Sequence, residues 1–387
     1  MKKFFFCAFL LFAQIFLLNA QQKIVFKTGK IAPIIVSKVH SDPASDLHLF
    51  LAGNFNGWNP ADTLWQLLAD GQGSYYINKE LSKGVYQFKI TRGSWQKVES
   101  TADGKPISNR TISIGGDTTV VLNIANWQDN FAAVEKQHTA SAQVHIVSEK
   151  FDMPQLGRQR RVWVYLPAGY ASSKTKYPVI YMHDGQNLFD AYTSGYGEWG
   201  IDEIMDKMPD KKESIIVGID HGGEYRITEY DPYDSKYGKG RGDDYVDFLV
   251  KTLKPYIDSH YRTETDAKHT TIAGSSMGGL ISMYAVLKYP QVFGSAGIFS
   301  PAFWIAAPDI YKYAAQQKLP AYSRFYFVCG DAESDSMVAD TKKMADIVRA
   351  EGKAEDKSPV VIIKGASHNE KQWNGDFPGF YGWLTGM

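Results

Sequence analysis

Thr270-Thr271-Ile272-Ala273-Gly274-Ser275-Ser276-Met277-Gly278-Gly279 is the stretch on which the reading of this chain turns. A β-favouring run leads into Gly274-Ser275-Ser276-Met277-Gly278. Helical spacing then continues from Leu280 to Tyr289 and stops at Pro290. A strand that enters a helix through Gly-x-Ser-x-Gly makes a tight turn with the serine at its apex. Small neighbours let that hydroxyl stand clear of the backbone, and the first amides of the helix point toward it. The pattern predicts that Ser276 is a nucleophile.

A serine hydroxyl is a weak nucleophile until a base takes its proton. On sheets that carry such a turn, the partners follow in the order serine, carboxylate, histidine. One histidine follows Ser276 in the sequence: His368, in Gly365-Ala366-Ser367-His368-Asn369-Glu370, just past the strand-like run Val360 to Ile363. The carboxylate belongs after the preceding strand-like run, Phe325 to Val328, where Asp331, Glu333 and Asp335 all stand. Charge alone does not choose among them, although Asp335 also suits the N-cap of the helix that follows. The developing oxyanion needs two preorganised amides. Met277 N–H is the first expected donor. The second is expected from Met182-His183-Asp184-Gly185-Gln186-Asn187, with Gln186 N–H as the candidate and His183 as a packing residue.

The flanking sequence reads as strands alternating with helices. Strand-like runs recur at Val162–Leu166, Val179–Met182, Ser214–Ile219 and onward, with amphipathic segments at Asp243–His260 and Ser336–Glu351. This rhythm predicts a mostly parallel sheet covered on both faces over residues 143–387. Residues 21–127 read differently, as short period-two segments punctuated by Gly, Asn and Asp, which predicts a β-sandwich. A polar linker is expected at 128–142. Residues 1–20, with Lys2-Lys3 and the apolar run Phe4 to Leu18, read as a signal peptide, so export to the periplasm or the exterior is expected.

Lys+Arg and Asp+Glu number 42 each, and this balance argues against a nucleic-acid partner or an anionic membrane surface. No later run is long enough to span a membrane. Cys7 belongs to the export segment and Cys329 stands alone in the rest of the chain, so no disulfide framework is expected. The histidines are scattered and no cluster has metal-ligand spacing, so neither a metal nor a cofactor is expected.

These residues resemble the esterase D family of α/β hydrolases, which includes feruloyl and enterochelin-type esterases. The resemblance runs from about Arg160 to the C-terminus. It rests on Tyr181-Met182-His183-Asp184-Gly185-Gln186-Asn187, Arg226-Ile227-Thr228-Glu229-Tyr230, Tyr256 to Thr263 and Ile272 to Gly279. It implies an α/β-hydrolase fold and hydrolysis through an acyl-enzyme without a cofactor. In such enzymes the acid stands three residues after the glycine ending its strand, which implies Glu333 where the family often has Asp. Asp184, Trp199 and Arg226 are the expected substrate contacts. The leading β segment is similar to glycogen-binding-type, immunoglobulin-like modules through Ala52-Gly53-Asn54-Phe55-Asn56-Gly57-Trp58-Asn59-Pro60 and Arg92-Gly93-Ser94-Trp95, with Trp58 and Trp95 as candidates for glucan contact. The resulting expectation is a serine esterase acting on acylated carbohydrate or aryl esters. A siderophore-ester hydrolase is the alternative if Arg226, Lys236, Lys239 and Arg241 present free charge. A non-catalytic carbohydrate-binding protein is the alternative from another class, and acyl transfer to a second alcohol is not separated from hydrolysis.

Overall fold

The computed structural model describes residues 24–26, 33–39, 48–70, 74–116, 118–131, 136–208, 213–334 and 336–386. The expected signal peptide, Asp335 and residues 132–135 of the expected linker lie outside the described residues. The chain divides into two compact units, Met1–Val134 and Glu135–Met387.

In the first unit, Ile24–Phe26, Thr118–Ile124, Pro33–Val39, Ser74–Asn78 and Leu68–Ala69 form a five-stranded sheet in that order. Phe50–Gly53, Gly84–Thr91 and Arg110–Ile114 form a three-stranded sheet. Residues from both sheets meet in one core that includes Leu51, Ile77, Phe88, Ile112, Leu122 and Trp127. Burial alternates along the strands: Ile112 and Ile114 are buried, whereas Thr111 and Ser113 are exposed. A pleated strand with one apolar face gives this period. Glu99 is a buried charge in this unit, held by the Ile90 N–H at 2.8 Å and by the Arg110 guanidinium at 2.7 Å.

The second unit is built on eight strands: β1 (Val144–Met153), β2 (Arg158–Tyr165), β3 (Val179–His183), β4 (Ile215–Ile219), β5 (Thr270–Ser275), β6 (Ser295–Phe299), β7 (Arg324–Gly330) and β8 (Val360–Ile363). Their order across the sheet is β1-β2-β4-β3-β5-β6-β7-β8. β2 runs antiparallel to both β1 and β4, and every pairing from β4 to β8 is parallel. The expectation of a mostly parallel sheet is met.

Near-continuous apolar strands supply side chains to both faces. Tyr181, Val217 and Phe327 join one core with Phe248 and Leu280. Their neighbours Ile180, Ile216, Tyr326 and Val328 join another with Trp373 and Phe377. Each fully buried side chain of this size contributes roughly 1.5–3 kcal/mol. Three helices matter for the site: α1 (Met277–Lys288), α2 (Met337–Ala350) and α3 (Glu370–Thr385). Helix α1 is buried all round from Met277 to Leu287, which is why its sequence lacks a polar face. The expected helical run from Asp243 is one continuous helical path from Gly242 to His260, with a wider turn at Leu249–Leu253.

Two features of this packing are sensitive to single atoms. Gly297 on β6 lies against Phe380, and a Cβ added there would stand 2.7 Å from the ring. Gly297→Ala is expected to cost about 1–3 kcal/mol by overpacking, read as a lowered midpoint in urea unfolding with an unchanged slope. Asp202, in the short helix Ile201–Met205, is fully buried and accepts the Ser141 N–H at 2.6 Å. Burial lifts its carboxyl to about 7, and the adjacent Glu203 adds to the rise. The folded chain therefore keeps a proton that the unfolded chain releases near 4. This group makes stability fall as pH rises from about 4 to about 7 and adds no further change above that. Asp202→Asn is expected to flatten this part of the Tm-against-pH curve, and parallel curves for the two proteins would refute the assignment.

Candidate active site

The turn between β5 and α1 carries Ser276 at φ 58° and ψ −118°. Positive φ is costly for a residue with a Cβ, on the order of 1–3 kcal/mol, and persists where the surroundings over-determine it. Here they do. Ser276 N–H donates to Phe299 O at 2.9 Å, and Ser276 O accepts from Leu280 N–H at 3.1 Å and Ala302 N–H at 3.0 Å. The flanking glycines are needed for contact rather than flexibility. A Cβ on Gly274 would stand 2.9 Å from the His183 ring, and one on Gly279 would stand 3.0 Å from Phe299 O.

His368 lies in the loop between β8 and α3, and its Nδ1 is 2.7 Å from Glu333 Oε2. Glu333 is 2% exposed, and its other oxygen accepts from Gly330 N–H at 2.5 Å and Ser300 Oγ at 2.7 Å. Of the three carboxylates open in the sequence, Glu333 reaches the histidine. Asp331 is exposed and accepts the Gly365 N–H at 2.6 Å. Ser300, at φ 43°, also accepts the Trp373 Nε1–H at 2.9 Å, and the Trp373 ring meets His368 edge-on at 5.0 Å. The turn from Phe299 to Ala302 thus bonds the Ser276 backbone and also holds Glu333. Ser300 and Trp373 were not legible as site residues. Their signal is a serine directly after a strand and a tryptophan five residues past a histidine, and both patterns are common.

Met277 is the first residue of α1, so its N–H has no acceptor within the helix. Gln186 sits in the short turn Gly185–Asn187 after β3; its side-chain oxygen accepts the His221 N–H at 3.1 Å, which holds the turn against the end of β4. His183 is buried with Nδ1 2.9 Å from the Tyr245 hydroxyl, and burial pushes its pKa down to about 3. It is neutral at physiological pH.

The expected substrate contacts fare differently. Asp184 and Arg226 bond each other through two oxygens and two nitrogens, at 2.6 and 2.8 Å. Burial pushes the Asp184 carboxyl up, but the Arg226 charge and hydrogen bonds more than offset this and hold it below its usual value. Burial likewise opposes the Arg226 charge, and Asp184 more than restores it. The two expected contact residues are thus partners of each other. Trp199, expected at the substrate surface, is instead 3% exposed and wedged between Phe299 and Trp373, with ring centroids 5.1 and 5.6 Å away. Its apolar bulk completes the core under the Phe299 turn. In the first unit, Trp58 and Trp95 are half-buried neighbours 6.3 Å apart.

No cluster in the sequence has metal-ligand spacing. Among the described residues, however, Glu198, Asp202 and Glu203 bring one carboxylate oxygen each within 4.8 Å of one another. The turn through Trp199 and Gly200 brings Glu198 back beside the helix that bears the other two, an approach that linear spacing conceals.

The Esterase family model matches residues 153–383, which is more than half of the chain. The protein YbbA of Bacillus subtilis is 28% identical over 248 residues, covering 59% of this chain and 93% of YbbA. An endo-1,4-beta-xylanase/feruloyl esterase of Xylanibacter ruminicola is 28% identical over 224 residues, covering 56% of this chain and 28% of that enzyme. An enterochelin esterase of Shigella flexneri superposes with a TM-score of 0.52 at 14% identity, covering 95% of this chain and 96% of that one, and this likeness speaks for the fold alone. The sheet is that of an α/β-hydrolase-like fold, and the family match sets aside the reading as a non-catalytic binding protein. The chain belongs to the esterase family and is a carboxylic-ester hydrolase.

Proposed function

We propose that the second unit hydrolyses esters through an acyl-enzyme on Ser276, with His368 as the base and Glu333 as the residue that holds its imidazole. The observation that carries this reading is the 2.7 Å contact between Glu333 Oε2 and His368 Nδ1, on a carboxylate whose second oxygen is already bonded. An acceptor on Nδ1 keeps the proton there and leaves Nε2 free to take one. Nε2 removes the Ser276 Oγ proton as Oγ attacks the ester carbonyl. The carbonyl oxygen becomes an oxyanion, stabilised by the N–H groups of Met277 and Gln186. The imidazolium then gives its proton to the leaving alcohol as the C–O bond breaks. Water, deprotonated by the same nitrogen, attacks the acyl-enzyme and releases the acid and Ser276.

The substrate class we propose is an acylated carbohydrate or aryl ester. The aromatic pair Trp58 and Trp95 supports it, as does the similarity to an enzyme named for both xylan cleavage and feruloyl ester hydrolysis. The first unit is read as an immunoglobulin-like, glycogen-binding-type module that offers these rings to glucan. A multiply anionic siderophore ester fits less well, because Arg226 is paired with Asp184 and Arg241 with Asp244. Lys2-Lys3 and the apolar run after them support export. Among the described residues, no helix is long and apolar enough to cross a membrane.

Steady-state turnover of p-nitrophenyl acetate and methyl ferulate tests the mechanism. Ser276→Ala is expected to lower kcat by roughly 10⁴-fold or more, and Glu333→Gln by about 10³–10⁴-fold, with KM changed little. Equal rates in the wild type and Ser276→Ala would remove Ser276 as the nucleophile.

A further inference from the structure

Three carboxylates meet beside the turn at residues 198–200. One oxygen each of Glu198, Asp202 and Glu203 lies within 4.8 Å of the others. Asp202 is fully buried, and its Oδ2 accepts the Ser141 N–H at 2.6 Å. Its other oxygen, Oδ1, is buried without a hydrogen-bond partner among the described residues, and so is Glu203 Oε2. The hydroxyl of Ser141, the residue that bonds Asp202, is buried without a partner as well. Glu203 folds back over the turn, so that a Cβ on Gly200 would stand 3.1 Å from Oε2. Glu198 accepts the Thr139 hydroxyl at 2.8 Å on one oxygen.

Among the described residues, no Lys, Arg or His forms an ion pair with any of the three. The basic groups next to Thr139 in sequence are engaged elsewhere: His138 is paired with Asp190, and Lys136 donates to Ser194 O. Other buried carboxylates of this unit are met by guanidinium groups, Glu229 by Arg158 and Arg160 and Asp184 by Arg226. Carboxylates this close repel one another, and burial removes the water that would screen them. Buried polar atoms without a partner are rare in folded proteins and point to a group that belongs between them. One shared proton satisfies a single pair of oxygens and leaves two negative charges in place. A divalent cation neutralises both and takes lone pairs from every oxygen that faces it.

The donors are all oxygens, which suits a hard cation rather than zinc or copper. Oxygens about 2.3–2.6 Å from one Ca²⁺ can stand up to about 5 Å apart, whereas those on Mg²⁺, at about 2.0–2.1 Å, stand no more than about 4.2 Å apart. A spread of up to 4.8 Å suits the larger ion. Glu198 and Glu203 are partly exposed, so the ion has a solvent side from which to enter and to keep water ligands.

We propose that Glu198, Asp202 and Glu203 form a calcium site that clips the chain entering β1 to the turn bearing Trp199. Ser141, bonded to Asp202, lies three residues before β1. On the other side, Trp199 N–H donates to Asn187 O at 2.8 Å, and its ring packs against Phe299 and Trp373. The ion stiffens this turn and takes no part in ester chemistry, so the inference stands apart from the substrate reading.

Calcium titration of the full chain tests it, after stripping with EDTA and exchange into chelator-free buffer at pH 8. Calorimetry is expected to show a site with Kd of about 10⁻⁴–10⁻³ M. Addition of 10 mM Ca²⁺ is expected to raise Tm by about 3–10 °C, and 10 mM Mg²⁺ by clearly less. Asp202→Asn is expected to weaken calcium binding about tenfold or more and to shrink the Tm rise. Glu198→Gln and Glu203→Gln, at partly exposed positions, are expected to do the same and decide the matter if Asp202→Asn does not fold. Absence of both calcium heat and Tm shift in the wild type overturns the proposal. So does calcium binding that is unchanged in Glu198→Gln and Glu203→Gln, because the ion then sits elsewhere. A larger Tm rise with Mg²⁺ than with Ca²⁺ overturns the assignment to calcium.

Discussion

The backbone of Ser276 occupies a conformation that an L-residue avoids, and much of the second unit's architecture serves to hold it there. β5 delivers the chain to the turn and α1 leaves it, while the Phe299–Ala302 segment bonds Ser276 from both its N–H and its carbonyl. That segment is in place because β6 pairs in parallel with β5 on one side and β7 on the other. Gly274 and Gly279 are small because the His183 ring and Phe299 O already fill the space that a side chain would need. The strain of one residue is therefore distributed over a sheet register, a helix start and a buried histidine.

The same segment couples the turn to the histidine. Ser300 lies one residue past Phe299 and bonds Glu333, while Trp373 bonds Ser300 from α3. Glu333 and His368 arrive on separate loops, after β7 and after β8, and the register of those two strands brings the loops side by side. Aromatic packing stiffens the group: the Trp373 ring lies tilted against Trp199, and Trp199 meets Phe299 edge-on. A carboxylate saturated on one oxygen cannot rotate away without breaking two hydrogen bonds, so the imidazole is oriented by packing and bonding rather than by charge alone. This is why Trp199 is buried. Its ring packs against Phe299 of the turn and against Trp373.

Local patterns were the legible part of this protein. The Ser276 turn could be read because its requirements lie within ten consecutive residues, namely a strand, small neighbours and a helix. The parallel sheet was legible because its strands are apolar on both faces. Helix α3 was not, because Gly375, Pro378, Gly379 and Gly382 argue against a helix on propensity. Burial of Trp373, Phe377, Phe380 and Tyr381 overrides that preference, as tertiary packing of an apolar face often does. The Asp184–Arg226 pair was equally hidden. Both residues carried the right chemistry to meet substrate, but their partners are 42 positions apart, and linear sequence does not reveal that two opposite charges will meet each other first.

Carboxylates of one chemical type acquire different roles here through the donors that reach them. Asp331 and Glu333 stand two residues apart after the same strand. The first is exposed and caps a loop amide, while the second is buried, holds two fixed donors and turns its remaining oxygen toward a histidine. Composition and charge could not separate them, because both are anions near the end of β7. What separates them is direction: Glu333 faces inward to the Phe299 turn, where Ser300 and the Gly330 amide are already waiting. An aspartate at this position would have to reach the same three partners with one methylene fewer. The longer side chain is thus matched to the span between the Gly330 turn and His368, and that span is set by how far apart β7 and β8 release their loops.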